Sequence, residues 1–318
     1  MATAADAAST LADLVTIHEP AAGRDRHIAV FYLHGGGLLY GERDDLPAPY
    51  VRAITDAGYT LVSADYPLCP EAALPAVVDA IARTWYEAVG RRVETGELTG
   101  YFLFGRSAGA YLSLVLAREL RRGGDRRGVG DGATSEARVL PQPLGILDFY
   151  GYYDLTDRAF REPARAYAAL PEVTRATAEA MVRPAPLTSG PKPLRYSLYV
   201  YARQHEGAWL ELMGLDGSAA ERTAEAWSLS AEDIAQLPPL FIAASTGDED
   251  VPLRASKTLA RTAPRATMKT VYYLPHDFDR DLTNPAGMEA YRSALSWMDG
   301  LVGDVFLSTH LRRLRKMG

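Results

Sequence analysis

Cysteine is almost absent: Cys69 is the only one in 318 residues. A lone thiol closes no intrachain disulfide and builds no thiolate metal cluster, which excludes a disulfide-stapled scaffold and a zinc ribbon. Long apolar runs are missing too. The longest, such as residues 28–33, are strand-length and fall far short of the roughly 20 residues a membrane helix needs. The first residues mix alanine with Asp6 and Asp13 and lack the basic flank and apolar stretch of a secretory leader. The expectation is a soluble, cytoplasmic protein with no membrane partner. Positive charge is in deficit, with 34 Lys+Arg against 40 Asp+Glu and a net charge of −6. That balance leaves no electrostatic footprint for nucleic acid. Lysine is scarce within the basic set (Lys192, Lys257, Lys269 and Lys316), which reads as compositional bias and carries no assignment.

What is present is ordinary for a packed globular chain: 47% hydrophobic and 23% charged residues. The length suits one large domain with an insertion, or two domains. From residue 28 onward short apolar runs alternate with longer amphipathic ones. Strands are expected at 28–34, 59–66, 101–104, 144–150, 240–244 and 267–274. Helices are expected at 45–57, 74–89, 108–120, 253–263 and 285–306, with glycines 58 and 90 as stops. Strand–helix alternation builds an open, mostly parallel sheet flanked by helices, with ligands at the carboxyl ends of the strands. Two stretches break the rhythm. Residues 121–138, rich in Gly, Arg and Asp, read as a solvated loop. Residues 152–236 separate two sheet strands by far more chain than a crossover needs. With Tyr196, Tyr199, Tyr201, Trp209 and Trp227 they read as a helical cap, leaving 1–151 and 237–318 as the catalytic domain.

Gly105-Arg106-Ser107-Ala108-Gly109 lies between an expected strand and an expected helix. That is the setting of a nucleophile elbow, where small flanking residues permit a sharp turn that lifts the serine hydroxyl above the sheet. A glycine-rich turn that merely allows close packing is the bland alternative. His34-Gly35-Gly36-Gly37 ends the first strong strand. Glycines there let backbone amides approach a substrate without a Cβ in the way, and converging amides stabilise the oxyanion of acyl transfer. Gly36, Gly37 and Ala108 are the candidate donors. A phosphate-binding turn fits less well, because no lysine follows and the spacing matches neither nucleotide fingerprint.

Six histidines compete for the base. His276, just past the strand expected at 267–274, shares the sheet edge with Ser107. His34 is better placed to brace the glycine loop, and His18, His27, His205 and His310 suit surface or packing roles. For the acid, Asp248 follows the turn at Gly247, with Asp250 next in rank and Glu249 solvated. The order Ser…Asp…His is the order of the α/β-hydrolase fold. Cys69, between Leu68 and Pro70, has no elbow context and reads as a buried structural thiol.

Taken together, His34-Gly35-Gly36-Gly37, then Asp65-Tyr66-Pro67-Leu68-Cys69-Pro70-Glu71, then Gly105-Arg106-Ser107-Ala108-Gly109 resemble the hormone-sensitive-lipase-like α/β-hydrolases, mostly microbial carboxylesterases of short acyl chains. The resemblance spans roughly residues 28–280 and extends to the capped feruloyl-esterase-like and prolyl-peptidase-like relatives. It implies Ser107 as nucleophile, Asp248 as acid, His276 as base and Gly36, Gly37 and Ala108 as oxyanion donors. His34 and Gly35 would support them, and Asp65 falls where that family fixes its glycine loop. Three departures stand out. The glycine motif begins early, which assigns the cap to 152–236. Pro67 and Cys69 replace an Arg and an Ala, which removes the usual local ion pairing. Arg106 fills a slot that is often acidic, where it would pair with a cap or loop carboxylate or lie under the elbow.

The expected function is a serine carboxylesterase with no cofactor or metal, acting on a small-molecule ester of short acyl or aryl type, with a mainly apolar pocket under the cap. A homodimer is compatible with the helix at 285–306 and the basic tail at 311–316. A peptidase or amide hydrolase would use the same residues and would need charge anchors, for which Arg165, Arg203 and Glu206 are candidates. A non-catalytic small-molecule receptor on this scaffold is the remaining rival.

Overall fold

In the computed structural model, residues 10–123, 141–217, 219 and 222–317 are described, with side chains described through residue 303. Most of the loop expected at 121–138 and the side chains of the basic tail lie outside these residues. Seven strands form one sheet: β1 (Val15–His18), β2 (Ile28–Leu33), β3 (Thr60–Ala64), β4 (Gly100–Arg106), β5 (Gly145–Phe149), β6 (Leu240–Ser245) and β7 (Ala266–Val271). Their order is β1-β3-β2-β4-β5-β6-β7, and every pairing is parallel except that of β1 with β3. The sequence reading did not foresee β1, a four-residue edge strand with too short a pattern to register.

The helices that build the two faces are α1 (Ala48–Asp56), α2 (Leu74–Trp85), α3 (Ala108–Arg122), α4 (Lys192–Gln204), α5 (Leu253–Thr262) and α6 (Pro285–Met317). Helices on both faces explain why β2 to β6 are buried along their whole length. Successive β2 residues alternate between two cores. Ala29, Phe31 and Leu33 pack with Val77, Ile81 and Leu112 from α2 and α3, whereas Val30 and Tyr32 pack with Tyr50 of α1 and Tyr291 of α6. α2 does not stop at Gly90 as expected. It widens into a π turn at Tyr86–Gly90 and resumes over Arg91–Glu94. Gly90 is there for space, since a Cβ would stand 2.8 Å from the Tyr86 ring; the chain turns instead at Gly96, whose φ is +79°.

The chain passes from β2 to β3 on one side and then crosses to β4 on the other. This reversal opens a crevice at the carboxyl ends of β2 and β4, the place where such sheets bind ligands. Residues 152–236 connect β5 to β6 and contain α4 and several shorter helices. Among the described residues no helix is long and apolar enough to cross a membrane.

Candidate active site

Ser107 stands between β4 and α3 with φ +54° and ψ −118°, a conformation L-residues adopt only under constraint. Its amide donates to the Phe149 carbonyl at 2.8 Å. The flanking glycines are demanded by packing. A Cβ on Gly105 would meet the Gly109 carbonyl carbon at 2.1 Å, and one on Gly109 would meet the Leu33 oxygen at 2.0 Å. β2, β4 and α3 therefore approach closely enough to fix the turn, and Ser107 opens on the crevice.

His276 and Asp248 arrive from loops beyond β7 and β6. His276 Nε2 lies 2.8 Å from Ser107 Oγ, and its Nδ1 lies 2.7 Å from Asp248 Oδ2. The other Asp248 oxygen accepts the amides of Asp250 and Val251, each at 2.8 Å. The two loops are stitched together by Ser245, whose hydroxyl donates to the Leu274 carbonyl at 2.6 Å, and by Thr246 Oγ1, which accepts the Tyr273 amide at 2.9 Å. Burial works against an imidazolium at His276, but the carboxylates of Asp248, Asp250 and Asp277 outweigh it, and its pKa is pushed up to about 9.

The glycine loop faces this chain of groups. Gly36 and Gly37 have φ of +104° and +61°, and a Cβ on Gly37 would stand 2.2 Å from the Tyr199 ring. Trp209 Nε1 donates to the Gly37 carbonyl at 2.9 Å. As first residue of α3, Ala108 presents an amide with no helical acceptor. His34 is buried and stacked on Tyr66, with ring centroids 4.1 Å apart. Its Nδ1 lies 2.8 Å from the Gly35 carbonyl and so carries the proton, while burial lowers its pKa and keeps the ring neutral. Gly35 packs its Cα against the elbow: a Cβ there would stand 3.1 Å from the Arg106 carbonyl oxygen.

Asp65 reaches the glycine loop only indirectly. It accepts the Arg43 amide at 2.7 Å and pairs with the Arg43 guanidinium, beyond the loop's far end. Tyr66 is the direct brace, its hydroxyl donating to the His34 carbonyl at 2.9 Å. The ion pairing that Pro67 and Cys69 do not supply comes from Glu71, gripped by both terminal nitrogens of Arg195 at 2.8 and 2.7 Å. Cys69 is buried and burial pushes its thiol pKa up, so it is a poor nucleophile.

Arg106 both lies under the elbow and pairs with loop carboxylates. Its Nε donates to Tyr150 Oη at 2.7 Å, one terminal nitrogen to Asp279 at 2.9 Å and the other to Asp45 at 3.2 Å. Tyr150 in turn donates to Asp279 at 2.7 Å, and its ring meets that of His276 edge-on at 4.8 Å. Burial opposes the guanidinium charge, but Asp279 and its neighbours hold the pKa well above the usual arginine value. Sequence reasoning missed Asp45, Tyr150 and Asp279.

The cleft over Ser107 has a volume of about 220 Å³ and is lined by Gly35, Gly36, Tyr40, Gly41, Glu42, Asp45, Arg106, Lys192, Pro193, Asp277 and Arg280. Its lining is mixed: the exposed surface is somewhat more apolar than polar, as expected, but Glu42, Asp45, Arg106, Lys192, Asp277 and Arg280 set charged groups into the wall. Tyr199 and Trp209 brace Gly37, and Tyr199 and Tyr167 bind Asp250, while Tyr196 packs edge-on against Tyr40 of the cleft. Of the three charge anchors considered, Arg203 is buried against Asp250, and Arg165 and Glu206 are exposed and absent from the cleft wall. Glu249 is also exposed. Among the described residues no group of three or more His, Cys, Asp or Glu side chains is placed to hold a metal ion.

A family profile described as the alpha/beta hydrolase fold matches residues 30–197, more than half of the chain. Among curated proteins, the non-reducing polyketide synthase adrD of Penicillium roqueforti is 33% identical over 165 residues, or 48% of this chain and 6% of that protein. The chain thus spans about 6% of the length of the curated relatives it matches. Among solved structures, a protein of unknown function from Staphylococcus aureus is 27% identical, covering 90% of this chain and 94% of that one, with a TM-score of 0.73. An alpha/beta hydrolase superfamily protein from Enterococcus faecalis is 29% identical, covering 89% and 93%, with a TM-score of 0.70. Esterase B of Lactobacillus rhamnosis, inhibited by a tributyrin phosphonate, shares the fold at 17% identity, covering 94% and 84%, with a TM-score of 0.61. The profile, the sheet order and the strand-end site agree, and the chain belongs to the alpha/beta-hydrolase family, in its hormone-sensitive-lipase- and carboxylesterase-like branch.

Proposed function

We propose that the protein is a serine carboxylesterase in which Ser107, His276 and Asp248 form a catalytic triad. The observation that carries the reading is the unbroken run of short hydrogen bonds from Ser107 Oγ through both His276 nitrogens to Asp248. Ser107 attacks the ester carbonyl while His276 takes its proton, and Asp248 stabilises the resulting imidazolium. The amides of Gly36, Gly37 and Ala108 hold the oxyanion of the tetrahedral intermediate. His276 then protonates the leaving alcohol, and water, activated by the same histidine, releases the acid from the acyl-enzyme.

Residues 152–236 act as a cap over a hydrolase domain formed by 1–151 and 237–318. Lys192 and Pro193 at the start of α4 line the cleft together with Asp277 and Arg280 from the histidine loop. The small volume of the cleft favours a short acyl group, since a longer alkyl chain would also strip water from Glu42, Lys192 and Asp277 without replacing its hydrogen bonds. Hydrolysis of p-nitrophenyl esters from acetate to decanoate tests this. The expected result is highest turnover at acetate or butyrate, steep decline toward decanoate, and loss of all of it in Ser107→Ala. Retained activity in the alanine variant would sink the mechanism, and turnover of a peptide amide but of no ester would move the assignment to a peptidase.

A further inference from the structure

Asp250, the runner-up for the acid, is not bonded to His276 and is instead the meeting point of the 152–236 segment and the acid loop. Tyr199 Oη donates to Asp250 Oδ1 at 2.9 Å and Tyr167 Oη to Oδ2 at 2.8 Å. Arg203 Nε lies 3.3 Å from Oδ1, and an Arg203 terminal nitrogen donates to the Asp250 carbonyl at 3.2 Å. All three gripping residues belong to 152–236. Arg203 is itself fixed from within that segment by the Ala159 carbonyl at 2.9 Å and by the faces of Trp209, Tyr167 and Phe160. On its other side Asp250 gives its amide to Asp248 Oδ1. The side chain of Asp250 is thus held by one region and its backbone holds the acid of another.

The orientation of Asp248 depends on that amide. A carboxylate has two oxygens, and here Oδ1 is occupied by the amides of Asp250 and Val251, which turns Oδ2 toward His276. If Asp250 shifts, the amide vector shifts with it and the Asp248 plane rotates away from the imidazole. The same segment also touches the opposite wall of the site, through Trp209 on the Gly37 carbonyl and the Tyr199 ring on Gly37.

We propose that Asp250 is a positioning residue through which the seating of the 152–236 segment, by Tyr167, Tyr199 and Arg203, sets the orientation of Asp248 and hence of His276. The segment then contributes to kcat as well as to substrate binding. This rests on the triad reading above, and the test separates the two. Tyr167→Phe/Tyr199→Phe removes both phenol donors while keeping the rings, and it changes no charge around His276 and Asp248. Asp250, Asp277, Lys192, Arg106 and Arg280 all remain. Rates with p-nitrophenyl acetate are normalised to folded sites by fluorophosphonate titration.

The expected result is a fall in kcat of roughly 10- to 100-fold, the scale of a 1 Å misplacement, with KM within about twofold of wild type on that same scale. The acid limb of the pH profile should move to lower pH, because weaker contact with Asp248 stabilises the imidazolium less. The far-downfield proton resonance between His276 and Asp248 should broaden or shift. Arg203→Lys, which keeps a cation beside Asp250, should recover part of the rate lost in Arg203→Met. Wild-type kcat per folded site with an unmoved acid limb and resonance, whatever the melting temperature, would overturn the proposal and leave Asp250 a structural tether. If the double variant does not fold, Tyr167→Phe alone is read by the same criteria. Turnover or fluorophosphonate labelling that persists in Ser107→Ala would instead overturn the triad reading.

Discussion

Arg106 and Arg203 are both almost fully buried, yet they are held in different ways. Arg106 spends Nε and both terminal nitrogens on side-chain oxygens, drawn from the end of β5 and from loops that follow β2 and β7. Arg203 bonds to two main-chain carbonyls, and its Nε sits 3.3 Å from Asp250, close enough for attraction but off the hydrogen-bond direction. Three aromatic rings supply much of its remaining surroundings. Arg106 is internal to the hydrolase sheet and cross-links the loops that carry the chemistry. Arg203 stands at the seam between 152–236 and the acid loop, with two hydrogen bonds where Arg106 has three.

The largest expected effect sharpens the division between the two aspartates of the acid loop. Asp248→Asn should lower kcat about 10⁴-fold, as loss of a triad acid does, whereas Asp250→Asn should cost far less. Steady-state rates per folded site decide this, and equal losses would remove the distinction between acid and positioning residue. The arginines come next. Arg106→Met leaves Asp279 buried without its cation, which should cost about 3–5 kcal/mol of stability. Arg203→Met should cost about 1–3 kcal/mol, because its Nε is off the hydrogen-bond direction to Asp250, which is less completely buried than Asp279. Urea titrations of both variants measure the difference, and similar midpoints would break the comparison.

The smallest effect is in pH dependence. A general base must be neutral, so a His276 pKa raised to about 9 places the acid limb of kcat/KM above the ordinary histidine range, with activity rising as pH rises. Asp277 is one of the carboxylates that favour the imidazolium. Asp277→Asn should therefore move that limb to lower pH and raise relative activity near neutrality. A limb that stays in place would show that Asp277 does not act on His276.

The proposed triad residues were legible because each follows a strand and their chain order fits one fold, so topology alone carries Ser107, Asp248 and His276 to one edge. The glycine loop was legible for a related reason: a Cβ at Gly36 or Gly37 would run into Tyr40 or Tyr199, so the site needs glycine there. The supports were not. Asp45 and Asp279 lie 61 and 173 residues from Arg106 in sequence, in loops without periodicity, and nothing local marks them as its partners. The aromatics of 152–236 were visible as a cluster, but their direction was not. Tyr199 and Trp209 could have roofed the pocket; they brace Gly37 instead, and the cleft is lined by other residues, several of them charged. The break expected at Gly90 failed because that glycine makes room for Tyr86 inside a helix rather than ending one.

The central claim is that Ser107 is the acylated nucleophile. The most direct test treats the wild-type protein with a fluorophosphonate, follows loss of p-nitrophenyl acetate hydrolysis and locates the adduct by peptide mass spectrometry. One phosphonyl group on the peptide containing Ser107, gained in step with the loss of activity and absent from Ser107→Ala, is the predicted result. An adduct on any other residue, or inactivation with Ser107 unmodified, would contradict it.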